Sequence, residues 1–376
     1  MRDNACERVD VVRLHRSDRK RSSMQNRIWT GCLGLVLTAG PSLTIAGSEG
    51  VTMVTREAKW TTNLRTQGYT FDELTAPGGL VPNQQIAFGG DDELVVTNDR
   101  GSMLKPNRVH AFILETKSGN CVGGDDWGTR GFSSIFGTTG AGYVVKADVG
   151  IARYSSGLRK VVATSPHSAR MISPDRRTLA SWVRRSGHGV TSIVDAETLR
   201  PLGVEFLDEN VTSICGDQVA YINYANRSRN ASVMIRDGKT KFPPYETECD
   251  EVQPHFLSKG ALAIFGCGRV EVIRIGEGRQ FVVKTDGEGI FAAASQDGGR
   301  FAFSEVFRGK SDEAKLLSER VSVVDVLQGK AIFVTEIKEL RGWKSGESGV
   351  ALSPNGSLLA VNSAGIVRLF SLETEK

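Results

Sequence analysis

The sequence predicts an all-β fold, on three observations. No helix-period segment of useful length stands out after residue 50. Short β-rich runs recur instead, bounded by Gly, Asp, Asn and Ser. Glycine is the compositional outlier, with 42 copies against 11 prolines in 376 residues, as many tight turns between short strands would require. Third, turns and strand ends repeat at a spacing of about 43 residues, the length of one four-stranded blade. Seven such units fill residues 57–376, so the fold class is all-β, a seven-bladed β-propeller. With 40% hydrophobic and 24% charged residues, the composition excludes disorder, a multispanning membrane protein and a small disulfide scaffold.

The strands are read from runs such as Glu93–Val96, Gly142–Val145, Ser192–Val194, Val219–Ile222, Val270–Ile273, Val321–Val324 and Ile366–Leu369. The turns repeat more clearly. Ser173-Pro174-Asp175 through Ala180 matches Ser353-Pro354-Asn355 through Ala360, and Ser295-Gln296-Asp297 through Ala302 is a third copy. Each is a polar turn feeding an apolar strand, and Asp-Gly or Asn-Gly suits the positive φ of a tight turn. Third-strand ends fall at Leu114, Tyr154, Ala196, Asp237, Ile275, Val326 and Leu372, with an insertion at Phe307–Glu319 before Val326.

On these Ser-Pro-Asp/Asn turns, and on Val367-Arg368-Leu369-Phe370-Ser371-Leu372-Glu373-Thr374 as a third-strand ending, the chain resembles the WD40-like and YVTN-like β-propellers. It departs from true WD40 repeats because no blade carries both the Gly-His and the Trp-Asp signatures. The last blade shows three strands, Gly349–Leu352, Leu358–Val361 and Ile366–Leu372. Ala58–Leu64 has no blade of its own, so Trp60 to Leu64 is expected to pair with Ile366 to Leu372 and close the ring.

Residues 1–47 read as a leader. They hold about eight Lys/Arg against about four Asp/Glu, which accounts for the whole net charge of +4 and leaves the body near neutral. Arg19-Lys20-Arg21, the uncharged stretch Ile28–Gly47 and the small residues at Thr44-Ile45-Ala46 match a secretory signal peptide starting at Met24, with an uncleaved anchor as the alternative. Trp29-Thr30-Gly31 before Cys32 is a poor lipobox. The protein is therefore expected to be secreted or periplasmic.

Candidate chemistry is sparse. His110, His167, His188 and His255 fall in different blades without zinc spacing, and His188 reads as a solvated hairpin residue. The acidic stretches Asp91-Asp92-Glu93 and Asp125-Asp126 read as solvated turns and not as calcium loops. No G-x-S-x-G elbow occurs, and Phe265-Gly266-Cys267-Gly268 reads as a hairpin turn and not a phosphate loop. No catalytic residue, metal or cofactor is assigned. Beyond the leader, Cys121 and Cys215 are expected to be free. A Cys249–Cys267 bridge is expected, because the inter-blade crossing and the second hairpin share one face; four unpaired thiols are the alternative.

The second hairpins of four blades read as long: Asn98–Arg108, Val183–Gly189, Asn223–Asn230 and Phe307–Arg320. They carry Arg100, Lys105, Arg108, Arg184, Arg185, His188, Arg227, Arg229, Arg308, Lys310, Lys315 and Arg320 against few acids. The resulting expectation is a monomeric binding or scaffold module whose basic face takes an acidic protein surface or an anionic envelope polymer, not nucleic acid. The alternative is a propeller-type enzyme, lactonase-like or a quinoprotein-dehydrogenase-like subunit.

Overall fold

Strands buried on both faces must be sandwiched, and the inner strands of blades 1, 2 and 7 are of that kind. The computed structural model describes residues 56–69, 85–99, 106–130, 134–147, 150–207, 211–223, 230–308, 316–337 and 348–373. The innermost strands are Ile86–Phe88, Ile135–Gly137, Ala169–Ile172, Val211–Cys215, Gln253–Ser258, Glu288–Ala294 and Gly349–Leu352, defining blades 1 to 7. Ile86–Phe88, Ile135–Gly137 and Gly349–Leu352 are buried throughout, whereas the outer strand Pro201–Leu207 is mostly exposed. Each blade is an antiparallel sheet running outward in chain order, except that the outer strand of blade 7 precedes blade 1 in the chain.

Seven apolar clusters fill the gaps between blades, and each draws on two neighbours. Ala87, Val95 and Trp127 of blade 1 meet Ile135 and Val145 of blade 2; Phe265 and Val272 of blade 5 meet Phe301 and Phe303 of blade 6. The last gap is filled in the same way, by Leu94, Phe112 and Leu114 of blade 1 against Ala360, Val367 and Leu369 of blade 7. With seven blades and seven shared cores, the ring is closed and no blade has a core of its own.

The outer strand of blade 7 is Trp60–Asn63, antiparallel to Ile366–Ser371, with Trp60 opposite Leu369 and Asn63 opposite Ile366. The same strand also binds blade 1. Trp60 Nε1 donates to the Thr116 carbonyl at 2.8 Å, and Thr62 Oγ1 donates to Gly119 O at 2.6 Å. Gly119 sits at φ +74 beneath the indole, where a Cβ would come within 2.6 Å of the ring. Leu64, fully buried, enters the core between blades 7 and 1.

The Ser-x-Asp/Asn turns share one hydrogen-bond pattern. In blades 3, 6 and 7 the Ser173, Ser295 and Ser353 hydroxyls donate to Asp175, Asp297 and Asn355, and each accepts the backbone N–H five residues on. The turn residue three after each serine has positive φ, at Arg176, Gly298 and Gly356. Burial of the Asp297 carboxyl is outweighed by its bonds to Ser295 and the Gly299 N–H, which hold its pKa below the usual carboxylate value.

Two expectations need correction. Val183–Gly189 is not a long loop: the strands Thr178–Arg185 and His188–Asp195 continue to a two-residue turn, Ser186-Gly187, with φ +51 and +87. Both values suit a tight primed turn, so the strands run on to the hairpin tip. Asp125-Asp126 is not a turn either; it lies within the outer strand Cys121–Arg130, where Gly123 and Gly124 allow the chain to stay extended against Ile113 and Phe112. The leader lies outside the described residues, and among those described no helix is long and apolar enough to cross a membrane.

Deleting residues 51–65 removes the outer strand of blade 7 together with Leu64, whose burial alone is worth about 2 kcal/mol. The truncated chain is expected to melt many degrees below the full chain by circular dichroism. An unchanged Tm would show that this strand is dispensable to the ring.

Candidate functional site

The axial channel is the first place to look for chemistry in a propeller, and on the side of the first turns the buried Arg176 joins three blades there. Arg176 of blade 3 occupies the positive-φ slot that glycine fills in the sister turns. Its guanidinium crosses the ring interior and donates to the Phe88 carbonyl of blade 1 at 2.9 Å and the Leu352 carbonyl of blade 7 at 3.1 Å, with a weaker 3.5 Å contact to Gly89 O. Gly137 of blade 2 makes room for this contact: a Cβ there would fall 1.8 Å from Phe88 O and 3.0 Å from the Arg176 guanidinium. Burial lowers the Arg176 pKa to about 10, partly offset by Tyr143 and Asp91, so it stays charged at neutral pH.

Further along the ring wall, His255 stacks on Phe291 at 4.4 Å and meets the edge of Phe265 at 5.9 Å. Burial pushes its pKa down to about 4, which leaves a neutral imidazole among aromatic rings. Among the described residues no three His, Cys, Asp or Glu side chains converge as metal ligands.

Buried carboxylates are present but are engaged in holding the chain. Glu271 of blade 5 accepts from Arg269 at 2.6 Å, from Arg279 at 3.1 Å and from the Tyr245 hydroxyl at 2.7 Å; Tyr245 belongs to the segment arriving from blade 4. Glu305 of blade 6 accepts from Arg320 and from the Asp286 N–H at 2.9 Å, on the crossing from blade 5. Glu319 accepts the Ser348 N–H at 2.8 Å, on the crossing to blade 7; burial raises its pKa, and its other oxygen has no partner among the described residues. On the opposite side, Glu197 joins blade 3 to blade 2 through the Gly140 N–H and Arg153, and these bonds outweigh burial to lower its pKa. Sequence reasoning missed these residues and Arg176, because their partners lie in other blades.

The residues singled out from the sequence are placed unevenly. Arg100, Lys105, Arg227, Arg229, Lys310 and Lys315 lie outside the described residues. Arg184 is in the second strand of blade 3, opposite Gly189, and exposed His188 opens the third strand opposite Arg185. The other hairpin cations meet carboxylates. Arg108 lies 3.4 Å from Asp126, Arg185 2.8 Å from Glu205, Arg308 3.9 Å from Glu288, and Arg320 2.7 Å from Glu305. Arg320 is a strand residue, not a loop residue. Cys249 and Cys267 form a disulfide with Cα atoms 5.8 Å apart, and Cys121 and Cys215 are free. Burial drives the Cys215 thiol up to about 12, so it is inert at neutral pH.

An open cleft of about 600 Å³ lies on blade 1 beside the 3₁₀ turn Leu64–Gln67, lined by Gln67, Arg108, His110, Phe112, Gly124 and Asp126. His110 Nδ1 lies 3.0 Å from Asp126 Oδ1, and its ring meets Phe112 edge-on at 4.5 Å.

No protein-family model matches the chain, and no curated protein matches it. Among solved structures it is similar to the WD40 domain of Neurospora crassa Pan2 at 10% identity, covering 86% of this chain and 98% of that one, with a TM-score of 0.49. It is similar to the WD40 domain of Toxoplasma gondii coronin at 10% identity, covering 86% and 89%, with a TM-score of 0.48. It is also similar to BamB from Moraxella catarrhalis at 11% identity, covering 85% and 98%, with a TM-score of 0.38. The likeness is one of fold alone; the propeller assignment rests on the sheet order and the seven shared cores.

Two outcomes check this account of the ring interior. Arg176→Gly relieves a positive-φ cost of about 1 kcal/mol but leaves two carbonyls without their charged donor, at about 1.5–3 kcal/mol each. The variant should melt several degrees lower; a Tm equal to or above wild type would show that the turn matters more than the bonds to blades 1 and 7. His255 has a depressed folded pKa, so its contribution to stability is complete above about pH 6.5 and is lost as pH falls toward about 4. His255→Phe, measured by urea unfolding across that window, should lose less stability on acidification than wild type.

Proposed function

We propose that the chain is an exported β-propeller that acts as a binding or scaffold module, with its partner docking on the face of the second hairpins. The observation that carries this reading is the asymmetry of the two faces. On one side lie tight hydrogen-bonded turns, with Arg176 of blade 3 bonded to carbonyls of blades 1 and 7. On the other, blades 1 and 6 send out second and third strands of seven to ten residues, Glu93–Asp99 with Pro106–Glu115 and Arg300–Arg308 with Leu316–Asp325. A rigid ring with its elaborated hairpins on one side is a common way to build a recognition surface.

The charge of these hairpins favours an acidic protein surface or an anionic envelope polymer. Arg108 and Arg185 are exposed with their carboxylate partners, so an anionic partner has to exchange with Asp126 and Glu205. Such pairs are weak at a surface, about 0–1 kcal/mol each, and do not bar exchange. Export is supported by the signal-like leader and by the Cys249–Cys267 disulfide, a bond that persists in oxidising compartments.

The test is reversal of Arg184, Arg185, Arg227 and Arg229 to Glu. Recovery of partners from native envelope extract, read by mass spectrometry, should fall about tenfold, and the remaining binding should depend less on salt. Unchanged recovery at every salt concentration would remove the basic hairpins as the docking site.

A further inference from the structure

The passage from blade 4 to blade 5 is built unlike the others. Where the outer strands of the other blades run unbroken over four to ten residues, that of blade 4 is split into Thr240–Lys241 and Tyr245–Glu246. Pro243 and Pro244 lie between the pieces, and proline has no N–H to donate to a ladder. Two residue pairs hold each piece to the third strand, Ser232–Asp237, with one further bond from Phe242 N to Ile235 O at 3.0 Å. The far end of the segment is fastened covalently. Cys249 is buried in the core between blades 4 and 5 and is bridged to Cys267 of blade 5. The Cys249 carbonyl accepts from Ala231 N at 2.6 Å, and Thr247 N donates to Ala231 O at 3.2 Å, so the bridged end also fixes the entry to the third strand.

The two cysteines differ in exposure. Cys249 is 3% exposed. Cys267 is an exposed residue of the two-residue turn Cys267-Gly268, at φ +50. A reagent therefore reaches the bridge from the Cys267 side. The other ties are noncovalent: Val252 in the shared core, with Phe242 and Tyr245 packed against it, the Tyr245 hydroxyl to Glu271, and Glu248 to Arg269 at 2.7 Å, with Glu248 71% exposed. A pair so exposed is screened by solvent and salt.

We propose that the Cys249–Cys267 disulfide is a redox-sensitive latch: its reduction releases residues 238–252 from blade 5 and uncovers Ser232–Asp237 as an open sheet edge, while the ring stays closed. A dithiol supplies the electrons. One thiolate attacks Sγ of Cys267, the S–S bond breaks, and Cys249 Sγ leaves and takes up a proton. The reagent's second thiol then attacks the mixed disulfide and expels Cys267 as its thiol, and the reagent ends as its own disulfide. The ring survives because the segment supplies no innermost strand, and the core, though it loses Cys249 and Val252, retains Val233, Ile235, Phe256, Leu262 and Ile264. An uncovered edge presents a row of backbone donors and acceptors that can take an extended chain.

Hydrogen exchange read by mass spectrometry on the full chain tests this, comparing the oxidised protein, the protein in dithiothreitol, and the Cys249→Ser/Cys267→Ser variant. Peptides covering 238–252 should exchange at least tenfold faster in both bridge-free states, and those covering Val211–Cys215 and Gln253–Ser258 should not change. Equal exchange of 238–252 with and without the bridge overturns the latch, because Glu271 and Arg269 would then suffice to hold the segment. A rise in all seven blades together on chemical reduction also overturns it, because the bridge would then sustain the ring itself.

Discussion

Every blade of this ring depends on its neighbours to cover both faces of its inner strands. A four-stranded sheet with Leu94, Val95 and Val96 buried in succession, or Leu359, Ala360 and Val361, has an apolar face on each side and no stable existence alone. Sharing one core per gap solves this for the inner blades of an open row, but the two end blades would each leave a face to water. Closure is therefore a requirement of the sequence pattern, and the segment Trp60–Leu64 carries it. It completes the sheet of blade 7 through backbone pairing and reaches blade 1 through Trp60, Thr62 and Leu64.

The same constraint explains where charge is buried. Polar groups inside a closed ring must find partners there, and those found here join blades. Arg176 places a guanidinium on carbonyls of blades 1 and 7, which it can reach only across the axis. Glu197, Glu305 and Glu319 each accept an N–H from another blade or from a crossing. These groups look like catalytic material on burial alone. Their partners account for them as fasteners between units that share no covalent neighbour except at the crossings.

Period and turn chemistry made the architecture legible in the sequence. The third-strand ends read at Leu114, Tyr154, Ala196, Asp237, Ile275, Val326 and Leu372 fall within one residue of the strand ends seen, because each stands before a turn that Gly, Asp or Ser dictates. The same local reading overestimated the Val183–Gly189 loop. It counted Arg184 and Arg185 as loop because they are polar, although Ser186-Gly187 alone makes the turn. It also read Asp125-Asp126 as a turn where the neighbouring glycines keep an outer strand extended. Arg176 left one signal that could have been used: an arginine stands where Gly298 and Gly356 stand in the sister turns. A non-glycine residue at positive φ is unfavourable unless its side chain is needed. Its destination, two blades away, has no trace in the local sequence.

On the proposed reading, binding is left to the surface. The inner strands pack against shared cores, and the first turns of blades 3, 6 and 7 are locked by their own serine and Asp/Asn bonds. The parts able to vary without cost to the ring are the second hairpins and the outer strands. Among the described residues, Arg108, Arg185, Arg308 and Arg320 are held by carboxylates of the same sheets, as Arg185 is by Glu205 across the ends of blade 3. A surface of this kind attracts an anion only to the extent that the partner offers better geometry than the resident carboxylate. On the proposed reading, long-range charge brings a partner to the face, while selection among partners rests on short-range fit to the hairpins.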